Sequence, residues 1–150
     1  DGDVISYAYA WFRDGQPIAG ATSARYALTP VDRGAVVAVR VTAEASGQSI
    51  RAEPAVYVPR NQPPDSPRVS ISGQREPGQT LTATVEPVRD PDGDPISLSY
   101  VWATEAGQTL GTASTYVVQD ADVDRVLRLT VIASDGIDRS STLTEVFISS

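Results

Sequence analysis

The chain of 150 residues carries 12 basic and 19 acidic side chains, a net charge of -7, and neither cysteine nor histidine. Those two absences exclude a disulfide, a thiolate metal site, a thiol nucleophile and the commonest general base. Every basic residue is arginine, which removes Schiff-base and isopeptide chemistry of lysine, and the acidic balance repels a phosphate backbone, so no nucleic-acid partner is expected.

One alternating stretch opens the chain and then returns. Asp1 to Trp11 reads DGDVISYAYAW and Asp90 to Trp102 reads DPDGDPISLSYVW, so that Ile5, Tyr7, Tyr9 and Trp11 align with Ile96, Leu98, Tyr100 and Trp102. A repeat of about ninety residues overrides the single-domain expectation from length and argues for two small modules. In the first, Asp14-Gly15 marks a hairpin after the Trp11 strand. Ser23 to Leu28 reads as the next strand, TPVDRG (29–34) as a turn, and Ala35 to Glu44 as a half-buried strand with Val37, Val39 and Val41 on one face. Ser46-Gly47 turns the chain into a last strand, Ser49 to Val58.

Residues 60–67 form a proline-rich linker between module 1–59 and module 68–150, and four prolines in the nine residues from Pro59 to Pro67 favour a semi-rigid extended spacer. The second module adds two strands, Arg68 to Ser72 and Thr80 to Val85, ahead of the acidic turn. Strands then follow at Ile96 to Trp102, Thr115 to Val118, Arg125 to Ala133 and Thr142 to Ile148. No helix of useful length and no apolar run long enough to enter a membrane is expected, so membrane insertion is not. Because the chain begins inside a repeat, it reads as a piece of a longer polypeptide.

Short strands separated by regular turn signals indicate a β-sandwich. The residues WFRDGQPI followed by YALTPVDRGAVVAVRV resemble strands C, C′, E and F of an immunoglobulin-like domain, with Trp11 and Trp102 as the core tryptophan of strand C. The whole is similar to the bacterial immunoglobulin-like and cadherin-like tandem repeats of large secreted or cell-surface adhesins. The resemblance implies an all-β fold of two tandem immunoglobulin-like β-sandwich modules, the first lacking its N-terminal strands A and B. Strand B would cover Trp11 and Tyr9. Either the chain has been cut upstream, or a strand from another chain or copy completes the first sandwich.

Sandwich topology also places the acidic loops. In the second module Asp65 on the lead-in, Asp90, Asp92 and Asp94 on the B–C loop, and Asp135 and Asp138 on the F–G loop fall at one end, to which the first module adds Asp32 and Asp14. Calcium takes about six to eight oxygen ligands, and aspartates closely spaced on a glycine turn supply them. Two readings stand: an interdomain Ca2+ site drawn from this set, or turn-favouring residues neutralised by Arg60, Arg89 and Arg139. An EF-hand is excluded, since the glycine is misplaced and Val101 stands where the terminal glutamate belongs. Asp32 also reads as a structural corner before strand F, and Asp120, Asp122 and Asp124 as an ordinary turn. Tyr7, Tyr9, Tyr26, Tyr100 and Tyr116 fall at inward or near-inward positions, leaving one outward aromatic per module, Tyr57 and Phe147, and therefore no sugar platform.

The expected role is a non-catalytic spacer or adhesion module of a secreted or cell-surface bacterial protein, its partners being neighbouring repeats of the same polypeptide. The alternative is an accessory module that positions an extracellular enzyme on polysaccharide. Clustered carboxylates on end loops without a pocket argue against a catalytic centre.

Overall fold

A computed structural model describes residues 4–149, so the first copy of the acidic turn, with Asp1 and Asp3, lies outside the described residues. The chain divides into two compact units, Asp1–Asn61 and Gln62–Ser150. Among the described residues both units are built of antiparallel strands, and the helical elements are two single turns of 3-10 helix at Pro30–Asp32 and Asp120–Asp122.

Unit 1 is one sheet. Its strands are β1 (Ser6–Arg13), β2 (Gln16–Pro17), β3 (Val36–Ala45), β4 (Gln48–Ala52) and β5 (Ala55–Tyr57), ordered β2–β1–β3–β4 with β5 pairing further along β3. The two-residue turn Asp14-Gly15 has positive φ at both positions (46° and 80°), as does Ser46-Gly47 (49° and 78°). Those angles match the twist of the flanking strands. The expected final strand Ser49 to Val58 is in fact broken at Glu53-Pro54. Proline offers no N–H to the ladder, although the Pro54 carbonyl still accepts the Val39 N–H at 3.0 Å.

Register fixes which side chains share a face. Tyr7 lies opposite Ala43, which lies opposite Ile50; Tyr9 opposite Val41; Trp11 opposite Val39; Val37 opposite Val56. On this face Val37 is buried, whereas Tyr7 is 58%, Ile50 77% and Val56, the cross-strand partner of Val37, 59% exposed. Ser23 to Leu28, expected as a strand, forms none. Its counterpart in unit 2 is a strand by pairing with strand B, and no such strand lies beside it among the described residues of unit 1.

Unit 2 is a complete sandwich. One sheet orders β10 (Thr115–Val117), β7 (Thr80–Val85) and β6 (Val69–Ser72); the other orders β12 (Arg139–Phe147), β11 (Val126–Ser134), β8 (Ser97–Thr104) and β9 (Thr109–Gly111). In immunoglobulin lettering these are E-B-A and G-F-C-C′. Leu81 and Ala83 of β7 meet Trp102, Leu127, Leu129, Val131 and Val146 of the facing sheet, with Val69, Ile71 and Val85 packed against them. Gly73 sits at φ 116° where a Cβ would run into the Thr80 carbonyl oxygen, so only glycine lets the β6–β7 link pass so close.

The proline-rich stretch divides between the units. Asn61 accepts a hydrogen bond from Arg33 Nη1 at 2.7 Å within unit 1. Within unit 2 the Asp65 N–H donates to Arg89 O (2.9 Å), Ser140 Oγ donates to Asp65 O (2.9 Å) and Thr142 Oγ1 to Pro67 O (2.6 Å), with Pro64 and Pro67 buried. The lead-in to β6 is thus stitched between the B–C loop and β12.

The contrast between the units sets a stability prediction. Trp102 is fully buried, and Trp102→Ala should cost about 3–5 kcal/mol in urea denaturation. Trp11→Ala, at a half-buried position, should cost clearly less; equal losses would mean that the unit 1 face is covered as well as that of unit 2.

Candidate metal-binding turn

The acidic turn between β7 and β8 begins with Asp90-Pro91-Asp92-Gly93, closed by the Gly93 N–H donating to Asp90 O at 3.2 Å. Asp first, Pro second and Gly fourth are the preferences of a type I turn. Asp90 turns inward and is only 6% exposed. Its Oδ1 accepts the N–H groups of Asp92 (2.8 Å) and Asp94 (3.1 Å). Its Oδ2 is buried and has no hydrogen-bond partner among the described residues. Asp92 accepts the Gln62 N–H at 2.7 Å on Oδ2, which ties the start of unit 2 to this turn. One carboxylate oxygen from each of Asp90, Asp92 and Asp94 lies within 4.8 Å of the others.

The remaining aspartates expected at a metal do not gather with these three. Asp65 approaches through its backbone, one residue pair away from Asp90. Asp135 lies at the same end of unit 2, where Ser97 of β8 pairs with Ser134 of β11, but its Oδ1 accepts the N–H groups of Ile137 and Asp138, both at 2.7 Å. That carboxylate and Asp138 serve the β11–β12 turn. Asp14 Oδ1 accepts the Val36 N–H at 2.8 Å in unit 1.

Asp32 is enclosed in unit 1, fully buried. It accepts from the Thr29 N–H (2.6 Å) and hydroxyl (2.9 Å), from Tyr26 OH (3.0 Å), and from Arg13, whose Nη2 lies 2.6 Å away. Burial pushes this carboxyl up, but the Thr29 N–H, the Arg13 guanidinium and the two hydroxyls together outweigh it and hold the pKa at about 2. Such a carboxylate is a corner brace. The same corner recurs in unit 2, where buried Asp122 accepts from Tyr116 OH and the Gln119 N–H, both at 2.8 Å.

Each tyrosine in turn leans on the core tryptophan. Trp102 and Tyr116 stack with centroids 5.7 Å apart, and the indole N–H donates to Ala113 O at 3.1 Å. Trp11 and Tyr26 lie 5.5 Å apart, and the indole N–H donates to Ser23 O at 2.8 Å. Sequence reading placed the tyrosines near the core and missed their hydroxyl-to-aspartate bonds. The signal was present, since Tyr26 precedes Asp32 by the same interval as Tyr116 precedes Asp122.

Of the expected acidic set, the three carboxylates of this turn are the ones that converge. Asp90 Oδ2 is an anionic acceptor without a donor, and such an atom is costly to bury unless something positive meets it. Both oxygens of Asp32, and Oδ1 of Asp135, are taken up by protein donors.

These two units define an immunoglobulin-like β-sandwich, complete in unit 2 and reduced to its G-F-C-C′ sheet in unit 1. No family model matches the sequence, and no curated protein matches it. Among solved structures the chain is similar to the amphioxus IgVJ-C2 molecule, at 13% identity and a TM-score of 0.39 over 96% of this chain and 88% of that one.

The two corners respond to opposite ends of the pH scale. Asp32 has a pKa of about 2 against an ordinary 3.8, so its contribution to stability is full above the ordinary value and fades as pH falls toward 2. Acid unfolding of the chain should lose that component in Asp32→Asn. For Tyr116, burial first and then the hydrogen bond and charge of Asp122 raise the phenol to about 12 from 10.0. Its contribution is present below pH 10 and lost as pH rises toward 12. Tyr116→Phe should remove a phenolate absorbance step near pH 12, and an unchanged titration would refute the buried bond.

Proposed function

We propose that this chain is a non-catalytic spacer or adhesion segment of a secreted or cell-surface bacterial protein, made of tandem immunoglobulin-like modules. The observation that carries this reading is what the two units have in common. Trp11 and Trp102, Tyr26 and Tyr116, Asp32 and Asp122 occupy matching places, and each is spent on an internal bond. Repetition has kept a framework rather than a reactive constellation, as expected of a module whose work is to hold distance and shape.

Neighbouring repeats are the natural partners of such a segment. A strand from another chain or copy would lie on the open face of unit 1, since β6 and β7 occupy the equivalent place in unit 2.

Stretching the full chain between its ends is the test. A force-carrying spacer should show a discrete rupture of unit 2 that releases on the order of 300 Å of chain. Smooth extension without a resolved rupture would overturn the spacer role.

A further inference from the structure

We propose that unit 2 binds an aspartyl residue of a peptide partner beside its β8–β9 hairpin, through the backbone of Val126 and the side chain of Arg125. Unit 1 shows the chemistry that this place accepts. There the Asp14 N–H donates to Val36 O at 2.9 Å, and Asp14 Oδ1 accepts the Val36 N–H at 2.8 Å. One aspartate thus satisfies both backbone groups of Val36 with its own amide and its own carboxylate.

Val36 and Val126 are counterparts, each standing three positions before the residue opposite the core tryptophan, Val39 in unit 1 and Leu129 in unit 2. Bonded and non-bonded rungs alternate along an antiparallel pair. Thr104 turns its N–H to Gln108 O, so the bonded rung is Ala103 with Arg128, and the next one falls at Glu105 with Val126. Glu105 does not complete it. The hairpin of unit 2 is one residue longer, with 103–107 between Trp102 and Gln108 where unit 1 has 12–15 between Trp11 and Gln16. Glu105 is drawn to Arg128 instead, whose Nη1 donates to Glu105 O at 2.8 Å and whose Nη2 lies 3.8 Å from the Glu105 carboxylate. The Val126 N–H and carbonyl are left without a hydrogen-bond partner among the described residues.

A cavity of about 540 Å³ stands at that edge, with Thr104, Asp124, Arg125, Val126 and Leu127 in its lining. Its size is that of a small-ligand site. Arg128 is committed to Glu105 and Glu145, whereas the exposed Arg125 is committed to no carboxylate among the described residues. A carboxylate entering here meets a backbone donor and an arginine, and the amide beside it meets the Val126 carbonyl. Asp124 disfavours a second negative charge, so one carboxylate next to a neutral amide fits better than a polyanion.

Amide nuclear magnetic resonance of the full chain, titrated with N-acetyl-aspartate N-methylamide, is the experiment. The Val126 amide should shift saturably with a dissociation constant on the order of 10⁻³ M, as expected of so small a ligand. The Val36 amide, already held by Asp14, should not move. The asparagine analogue should bind about fivefold more weakly, and Arg125→Gln should weaken the aspartate ligand by about the same factor. Replacing Glu105-Ala106-Gly107 by the Asp-Gly of unit 1 should supply the carboxylate from within the chain and abolish the shift. Amide dispersion reports whether that variant is folded; if it is not, Arg125→Gln decides. A Val126 amide unmoved by roughly 10 mM ligand, equal binding of the asparagine analogue, undiminished binding in Arg125→Gln, or binding that survives the folded hairpin replacement would each overturn the site.

Discussion

A β-sheet with one apolar face needs a second layer against that face, and the two units differ in whether they have one. In unit 2, Leu81 and Ala83 from the three-stranded sheet close over Trp102, Leu129 and Val131, and the centre of the facing sheet is fully dry. In unit 1 the same rows of side chains exist in the same register without the layer above them. Burial on this face is therefore patchy: Val37, next to the Asp32 corner, is enclosed, whereas its partner Val56, and Tyr7 and Ile50 at the far end, stand open. Pairing within a sheet specifies which residues face the core, but only the second sheet makes a core of them.

The tryptophan-tyrosine-aspartate corner is a part of the module that forms without that layer. The segment of unit 1 that corresponds to strand E has no pairing strand among the described residues and no regular strand backbone, yet Ser23 receives the Trp11 indole and Tyr26 lies against the ring. These are side-chain contacts to strand C and to the corner, so they do not depend on strand B. The corner itself is built differently in the two units. Asp32 has a guanidinium beside it from Arg13, where the matching position in unit 2 is Thr104, and Asp122 has only the hydroxyl and one N–H among the described residues. Even the backbone turn that follows is conserved in geometry rather than in residue: Gly34 at φ 77° is matched by Asp124 at φ 58°, aspartate being among the few side chains that tolerate the left-handed region.

How far the sequence could be read follows the same division between local and long-range causes. The limits of β7 at Thr80 and Val85, the Asp14-Gly15 hairpin and the inward phase of both tryptophans follow from alternation and turn chemistry, which act over a few residues. Ser23 to Leu28 looks like a strand by the same criteria and is not one, because strand formation depends on a neighbour that the local sequence does not report. Pro54 was a legible break that alternation alone overlooked. Topology groups the acidic loops of unit 2 by the end of the sandwich they leave from, but it does not say which carboxylates turn toward one another. Asp135 is diverted by two N–H groups of its own loop, a choice made at the scale of ångströms.

The Asp90–Asp94 turn is held by several local backbone constraints at once. Pro91 and Pro95 each lock φ near about -65°, and a residue before proline is itself restricted to extended backbone, so Asp90 and Asp94 are each constrained by the proline that follows. Gly93 takes φ 80°, and two N–H groups converge on Asp90 Oδ1. Most of the ordering entropy that a flexible acidic loop would lose on gathering three carboxylates has therefore been given up during folding. The same rigidity brings like charges together whether or not a cation is present, a cost that a merely solvating turn would avoid by letting its carboxylates splay apart.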